Sequence, residues 1–159
     1  MTSGQSPKAA LDQIVRKARY LLISFDGPIR SANPGNPPAP NILDVLTACR
    51  ESGRSAAFVS ERPASEVRAY LNAHDLSANV AVIAASADLA IRTLEAAPTD
   101  CVVVTVSPSG IKAAKAIGAS SIAYAKTPDD AVGLAQAEAS AFVYSMIDLA
   151  LSLRTRAAD

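Results

Sequence analysis

Six side chains with usable chemistry fall just past the ends of apolar runs: Ser24 and Asp26 in LLISFDGPIR, Ser60 and Arg62 in FVSERP, and Ser107 and Ser109 in TVSPSG. Asp26 is a carboxylate that can exchange a proton as general acid or base, and an Asp-Gly pair also shapes the loop after a strand; both roles stay open. Ser24 carries a hydroxyl that is a weak nucleophile until a base takes its proton. The single histidine, His74, closes a helix away from the strand tips, so a Ser-His-Asp arrangement is not expected. Ser60 can bond a phosphate or carboxylate oxygen, or satisfy backbone at a strand-to-helix turn. Ser107 and Ser109 stand before a helix whose first N–H groups can receive an anion or a capping hydroxyl. Arg62 and Arg30 can supply positive charge or stand as solvated surface. Cys49, Cys101 and His74 lack metal-ligand spacing, so no metal site is expected, and both cysteines read as small buried apolar groups.

The elements that would position these residues alternate along the chain. Helices are predicted over Pro7–Arg19, Ile42–Ser52, Pro63–His74, 87–97, Ser109–Ile117, 128–137 and 145–156. Strands are predicted over Tyr20–Phe25, Ser55–Ser60, Val80–Ala84, Cys101–Val106 and Ser121–Tyr124, with a short edge strand at 141–144. Gly53 suits the end of the second helix, Gly118 that of the fifth, and Ser86 the start of the fourth. Residues 31–41 hold four prolines and a glycine, which suits neither a helix nor a central strand and predicts a loop. The strands are continuous apolar runs, as in a sheet covered on both faces. The expected fold class is α/β: a Rossmann-like, doubly wound, mostly parallel sheet of five to six strands flanked by helices. Ligands in such sheets sit at the carboxyl ends of the strands, where the six residues fall.

Composition narrows the function class. The 159 residues are 50% hydrophobic and hold 15 Lys plus Arg against 15 Asp plus Glu. A balanced charge lacks the basic excess of nucleic-acid or membrane-surface binders, so neither partner is expected. The first ten residues lack the apolar core of a signal peptide, and no apolar run reaches the ~18–20 residues of a membrane span, so a cytoplasmic protein is expected. Residues 1–7 read as a flexible N-terminus and 8–159 as a single domain.

The strand ends resemble the haloacid dehalogenase superfamily, most of whose members are phosphohydrolases. LLISFDGPIR is similar to the family's opening motif, a strand followed by Asp-x-Asp-Gly. Phe58-Val59-Ser60 is similar to the second motif, a strand ending in Ser or Thr. CVVVTVSPSGIKAAKAIGASSIAYAKTP resembles the last motif, Gly-Asp-Ser-x-x-Asp, with the helix and strand after it, and ASAFVYSMIDLA the family's final strand and helix. The resemblance spans nearly the whole chain and implies a core without a cap domain, since only the Pro-rich loop stands at the first insertion point.

The departures bear on chemistry. In the family the first Asp attacks phosphorus and binds Mg2+; Ser24 stands there. The second Asp, the family's acid/base, is retained as Asp26. The acidic metal ligand of the last motif falls on Val106 and its final Asp on Gly110. No lysine occurs between Lys17 and Lys112, so the third-motif Lys is missing, and Arg92 lies within a helix. Mg2+ prefers carboxylates, and phosphoryl transfer needs metal, nucleophile and cation together. The resemblance therefore implies a degenerate, capless protein that acts as a non-hydrolytic binding or regulatory module. Asp26 is its retained catalytic candidate, Ser24 stands inactive at the nucleophile position, and Ser60, Arg62, Ser107 and Ser109 are ligand-binding candidates. The Mg2+ usual for the family would be largely without ligands, so no cofactor is expected. A small anionic ligand or a protein partner would occupy the open cleft. The alternative is a phosphatase-like hydrolase, or another enzyme, working by an altered mechanism.

Overall fold

A computed structural model describes residues 7–25, 42–76, 80–125 and 128–154. Asp26, Arg30 and the Pro-rich segment 31–41 lie outside the described residues. Tyr20–Ser24 (β1), Ser55–Val59 (β2), Val82–Ala84 (β3), Cys101–Thr105 (β4), Ser120–Tyr124 (β5) and Ala141–Val143 (β6) pair side by side, all parallel, in the order β3-β2-β1-β4-β5-β6. Parallel neighbours need a crossover, and helices supply it: Pro7–Lys17 (α1), Ile42–Glu51 (α2), Ala64–Ala73 (α3), Ala87–Leu94 (α4), Pro108–Ala116 (α5), Pro128–Gln136 (α6) and Met146–Leu153 (α7). The α/β class is as expected, with six strands.

Alternation along each strand divides the core. Leu21, Ile23, Phe58, Val102 and Val104 face one way and pack with α1, α2, α3 and α7. Leu22, Ala57, Val103 and Cys101 face the other way, toward α4 and α5. Small residues on this second face (Ala57, Ala84, Ala90, Ala114) let helices approach the sheet closely.

Turn chemistry sets most helix ends. Gly53 and Gly118 take φ of 81° and 84°, the left-handed conformation that glycine reaches without penalty. Ser86 caps α4, its Oγ accepting from the Leu89 N–H at 3.1 Å. The same helix stops at Leu94, short of the expected 97, because Glu95 turns left-handed at φ 56°. No glycine marks that stop, and the sequence periodicity runs straight through it.

The ends of the sheet opposite the strand tips are tied by one buried side chain. Arg54, 4% exposed, donates from Nε to the Ala18 carbonyl (3.0 Å), from Nη2 to Val15 (2.9 Å) and from Nη1 to Leu153 (2.9 Å). These carbonyls close α1 and α7, so the cation sits at two negative helix ends. Burial lowers its pKa from the ordinary value, and the neighbouring Cys49 partly offsets that.

Candidate functional site

The strand order reverses between β1 and β4, and a crevice opens outside their carboxyl ends, as is general for such sheets. It is a pocket of about 510 Å³. Hydroxyls from Ser24, Ser60, Ser86, Thr105, Ser107 and Ser109 line it, and Val59, Val103 and Ala113 supply an aliphatic surface. Glu61 is the one charged residue of the described lining.

Backbone bonds align the strand tips. The Phe25 N–H donates to Val59 O and the Ser60 N–H to Ala84 O, both at 2.9 Å, so β1, β2 and β3 end level. Ser60 is 6% exposed, and its Oγ accepts from the Arg62 N–H at 3.1 Å, the turn-forming role open to it from sequence. Beyond β4 the turn closes on itself. The Ser107 N–H donates to Thr105 Oγ1 at 3.2 Å, and Ser107 Oγ accepts from the Gly110 N–H at 3.1 Å, capping α5. The Thr105, Ser107 and Ser109 oxygens follow at 3.4 and 3.2 Å, a short hydroxyl chain along the pocket wall.

Gly110 is required here by contact. A Cβ built at that position would lie 2.9 Å from both Cβ and Cγ2 of Thr105, and nearer still to Oγ1. Any side chain at 110 would therefore collide with Thr105.

The structure brings Ser24, Ser60, Ser107 and Ser109 to one pocket. Arg62 does not line it; its Nη1 pairs with Glu66 Oε2 at 3.0 Å on the exposed face of α3. Asp26 lies outside the described residues. Glu61, Ser86 and Thr105 also line the pocket; from sequence Ser86 was given only a helix-capping role, and none of the three was named a ligand candidate. Each falls within one or two residues of a strand end, so position rather than residue type was the available signal. His74 lies beside Tyr70, with ring centroids 4.5 Å apart and planes tilted by 48°, and is not in the described lining of the pocket. Burial pushes the Cys49 thiol up to about 12 and the Cys101 thiol up to about 11, which keeps both protonated and unreactive.

The donor set does not fit Mg2+. That ion takes octahedral oxygen ligands with one or two carboxylates, whereas the described lining offers neutral hydroxyls and Glu61. Among the described residues no group of three His, Cys, Asp or Glu is placed to hold a metal ion. No described helix is long and apolar enough to cross a membrane.

No family model and no curated protein matches the sequence. Solved structures do. A haloacid dehalogenase-like family hydrolase from Streptococcus pneumoniae superposes with TM-score 0.70 at 10% identity, over 84% of this chain and 97% of that one. A protein assigned as a β-phosphoglucomutase from Bacteroides vulgatus gives TM-score 0.75 at 14% identity, over 96% and 98%. A conserved haloacid dehalogenase-like protein from Agrobacterium tumefaciens gives 0.59 at 21% identity, over 70% of this chain but 58% of that longer one. With six parallel strands in this order and a crevice at the β1–β4 reversal, the chain has the haloacid dehalogenase-like fold.

Proposed function

We propose that this protein is a catalytically degenerate, capless haloacid dehalogenase-like module that binds a small ligand at the strand-end pocket without hydrolysing it. The observation that carries the reading is the composition of that pocket. In its support, Ser24 ends β1 and lines the pocket, the resemblance to the family sets that serine at the nucleophile's position, and Thr105 crowds the place where a carboxylate at 110 would have to be built. A neutral hydroxyl in place of an aspartate cannot form the acyl-phosphate, and loss of a nucleophile alone costs roughly 10⁴–10⁶ in rate. Two residues, Ala85 and Ser86, join β3 to α4, which leaves no inserted cap at that point. Placement in the cytoplasm belongs to the same proposal.

The test is titration calorimetry with Mg2+ plus beryllofluoride, which imitates a phosphoryl group on an aspartate. Wild-type protein is expected to give no heat. Saturable heat, or Mg2+-dependent release of phosphate from an ester, would overturn the reading.

A second reading has the solved neighbours in its favour, since the Streptococcus pneumoniae protein is named a hydrolase. Here the chain would be a hydrolase of altered mechanism, with Asp26 as acid/base. Turnover that survives Asp26→Ala would exclude that version.

A further inference from the structure

We infer that the end of the sheet opposite the strand tips is a docking surface for an acidic protein segment that carries an aliphatic anchor. This surface is separate from the strand-end pocket and does not depend on what that pocket binds. Its first support is the convergence of cations. α1 ends on Arg16 and Lys17, α2 carries Arg50 in its last turn, and Arg154 follows α7, all four exposed. Arg54 draws these ends together through its bonds to the Val15, Ala18 and Leu153 carbonyls, and its own N–H donates to Cys49 O of α2 at 2.8 Å. Arg19 joins them, its N–H donating to Asp100 O and its carbonyl accepting from the Ser55 N–H. α7 packs against both α1 and α2, so at 8–10 Å between helix axes the three ends span up to about 20 Å.

A cation at a helix end complements the helix dipole, but that role does not require an unpaired charge. Arg92 and Lys115 hold the same place on α4 and α5, and each is paired, with Asp88 and Glu138 respectively. Arg16, Lys17, Arg50 and Arg154 have no ion pair among the described residues. The described carboxylates at this end of α1, α2, α3 and α7 and at the start of β4 are Glu51, Asp75 and Asp100, against six cations once Arg19 and Arg54 are included. The adjoining stretches outside the described residues leave that balance unchanged, since 77–79 hold no charged side chain and 155–159 hold one of each sign. Exposed cations crowded around a buried one repel it and one another, and a carboxylate-rich partner relieves that repulsion.

A recess of about 210 Å³ opens beside the cations, lined by Arg50, Arg54, Ala56, Val80 and Ala81 among others. Its small aliphatic walls suit a branched apolar side chain, and Arg50 at its rim suits the carboxylates next to that side chain. An extended segment of about six residues is long enough to cover the patch. The rest of the surface selects a protein segment over other polyanions. The chain holds 15 cations and 15 carboxylates, and the opposite end carries Asp44, Glu66, Asp88, Asp129 and Asp148 in the first turns of its helices. A long nucleic acid would gain at the patch and lose beyond it. A bilayer would need apolar side chains beside the cations, whereas the exposed Leu43, Leu89, Tyr144 and Ile147 lie at helix starts and a strand tip at the other end.

The experiment is fluorescence anisotropy of a labelled acidic peptide, EDLEEDLE, titrated with the full chain at low salt. Saturable binding is expected, at least fivefold weaker in about 0.3 M NaCl, where the Debye length falls to roughly 6 Å. The serine analogue EDSEEDSE should bind several-fold more weakly, because it lacks the anchor. An exposed ion pair is worth up to about fivefold in affinity, so the Arg16→Glu, Arg154→Glu double variant should bind about tenfold more weakly. Arg16→Gln with Arg154→Gln repeats the test without a reversed charge at a helix end, and a thermal melt checks that each variant folds. Lys112→Glu makes the same charge change on α5 and should leave affinity within twofold of wild type. Amide NMR should show peptide-induced shifts at Arg50, Ala81 and Arg154 and none at Ser107 or Gly110. The inference is overturned by absence of saturable binding, by folded double variants that bind like wild type, by Lys112→Glu weakening binding equally, or by shifts confined to Ser107 and Gly110. Duplex DNA or phosphatidylserine vesicles binding as tightly as the peptide, per charge, would equally overturn it in favour of that class of partner.

Discussion

Replacing Arg54 by methionine keeps the volume of its aliphatic stem and removes every donor. The carbonyls of Ala18, Val15 and Leu153 then lose charged partners at 3.0, 2.9 and 2.9 Å. Val15 O keeps the Ala18 N–H at 3.1 Å, so two carbonyls lose most. A buried carbonyl left unmatched costs about 1–3 kcal/mol, and two such losses give about 2–6 kcal/mol. Relief of the guanidinium's own desolvation offsets part of this, which leaves about 2–4 kcal/mol. That is a large fraction of the ~5–15 kcal/mol typical of a domain. Urea unfolding followed by far-UV circular dichroism reads it as a lower midpoint at unchanged slope. Arg54→Lys should fall between, because an ammonium on a flexible stem cannot reproduce a planar fork. A loss below about 1 kcal/mol for Arg54→Met would refute the view that this cation holds the closing turns of α1 and α7 together.

Gly110→Ala forces a Cβ into Thr105 and should destabilise by about 1–3 kcal/mol, seen as a drop of about 3–10 °C in a thermal melt. Ser107→Ala removes the cap of α5 and should cost about 1 kcal/mol in denaturant unfolding. The thiols give a pH dependence. Folded Cys49 and Cys101 hold their protons to about 12 and 11, whereas unfolded thiols release them near 9.0. The unfolded state then binds fewer protons, so stability falls as pH rises from 9 toward those values, at up to about 1.4 kcal/mol per unit per thiol. A Cys49→Ala, Cys101→Ala double variant should flatten that decline, and both native thiols should resist Ellman's reagent at pH 8 until the chain is denatured.

The element order was legible because the chain is punctuated. CVVVT is β-branched and fully buried, Gly53 and Gly118 end helices, and Ser86 begins one, each through local chemistry that a sequence displays. The stop at Glu95 was hidden, because the left-handed turn is closed by backbone bonds, Glu95 N–H to Arg92 O and Ala96 N–H to Ile91 O, that any residue type can make. The pocket was legible as a set of strand ends, which brought Ser24, Ser60, Ser107 and Ser109 together. The engagement of Arg62 with Glu66 was not, since a side chain at the start of a helix can turn toward the crevice or along the helix. Arg54 escaped notice for a related reason. An arginine before a strand reads as surface, and only the convergence of α1 and α7, distant in sequence, supplies the carbonyls that make burial tolerable.

The two outermost strands, β3 and β6, are the shortest in the sheet, three residues each against five in the four between them. A rim three residues long presents only one or two outward N–H and C=O groups of the spacing that another chain could copy. Strand-by-strand addition would begin with too few bonds to outweigh the ordering of the incoming segment. The apolar β-branched run of β4, the segment best suited to fibril growth, is screened on both sides by its neighbours β1 and β5. Aggregation by this chain should therefore require global unfolding rather than fraying of an edge.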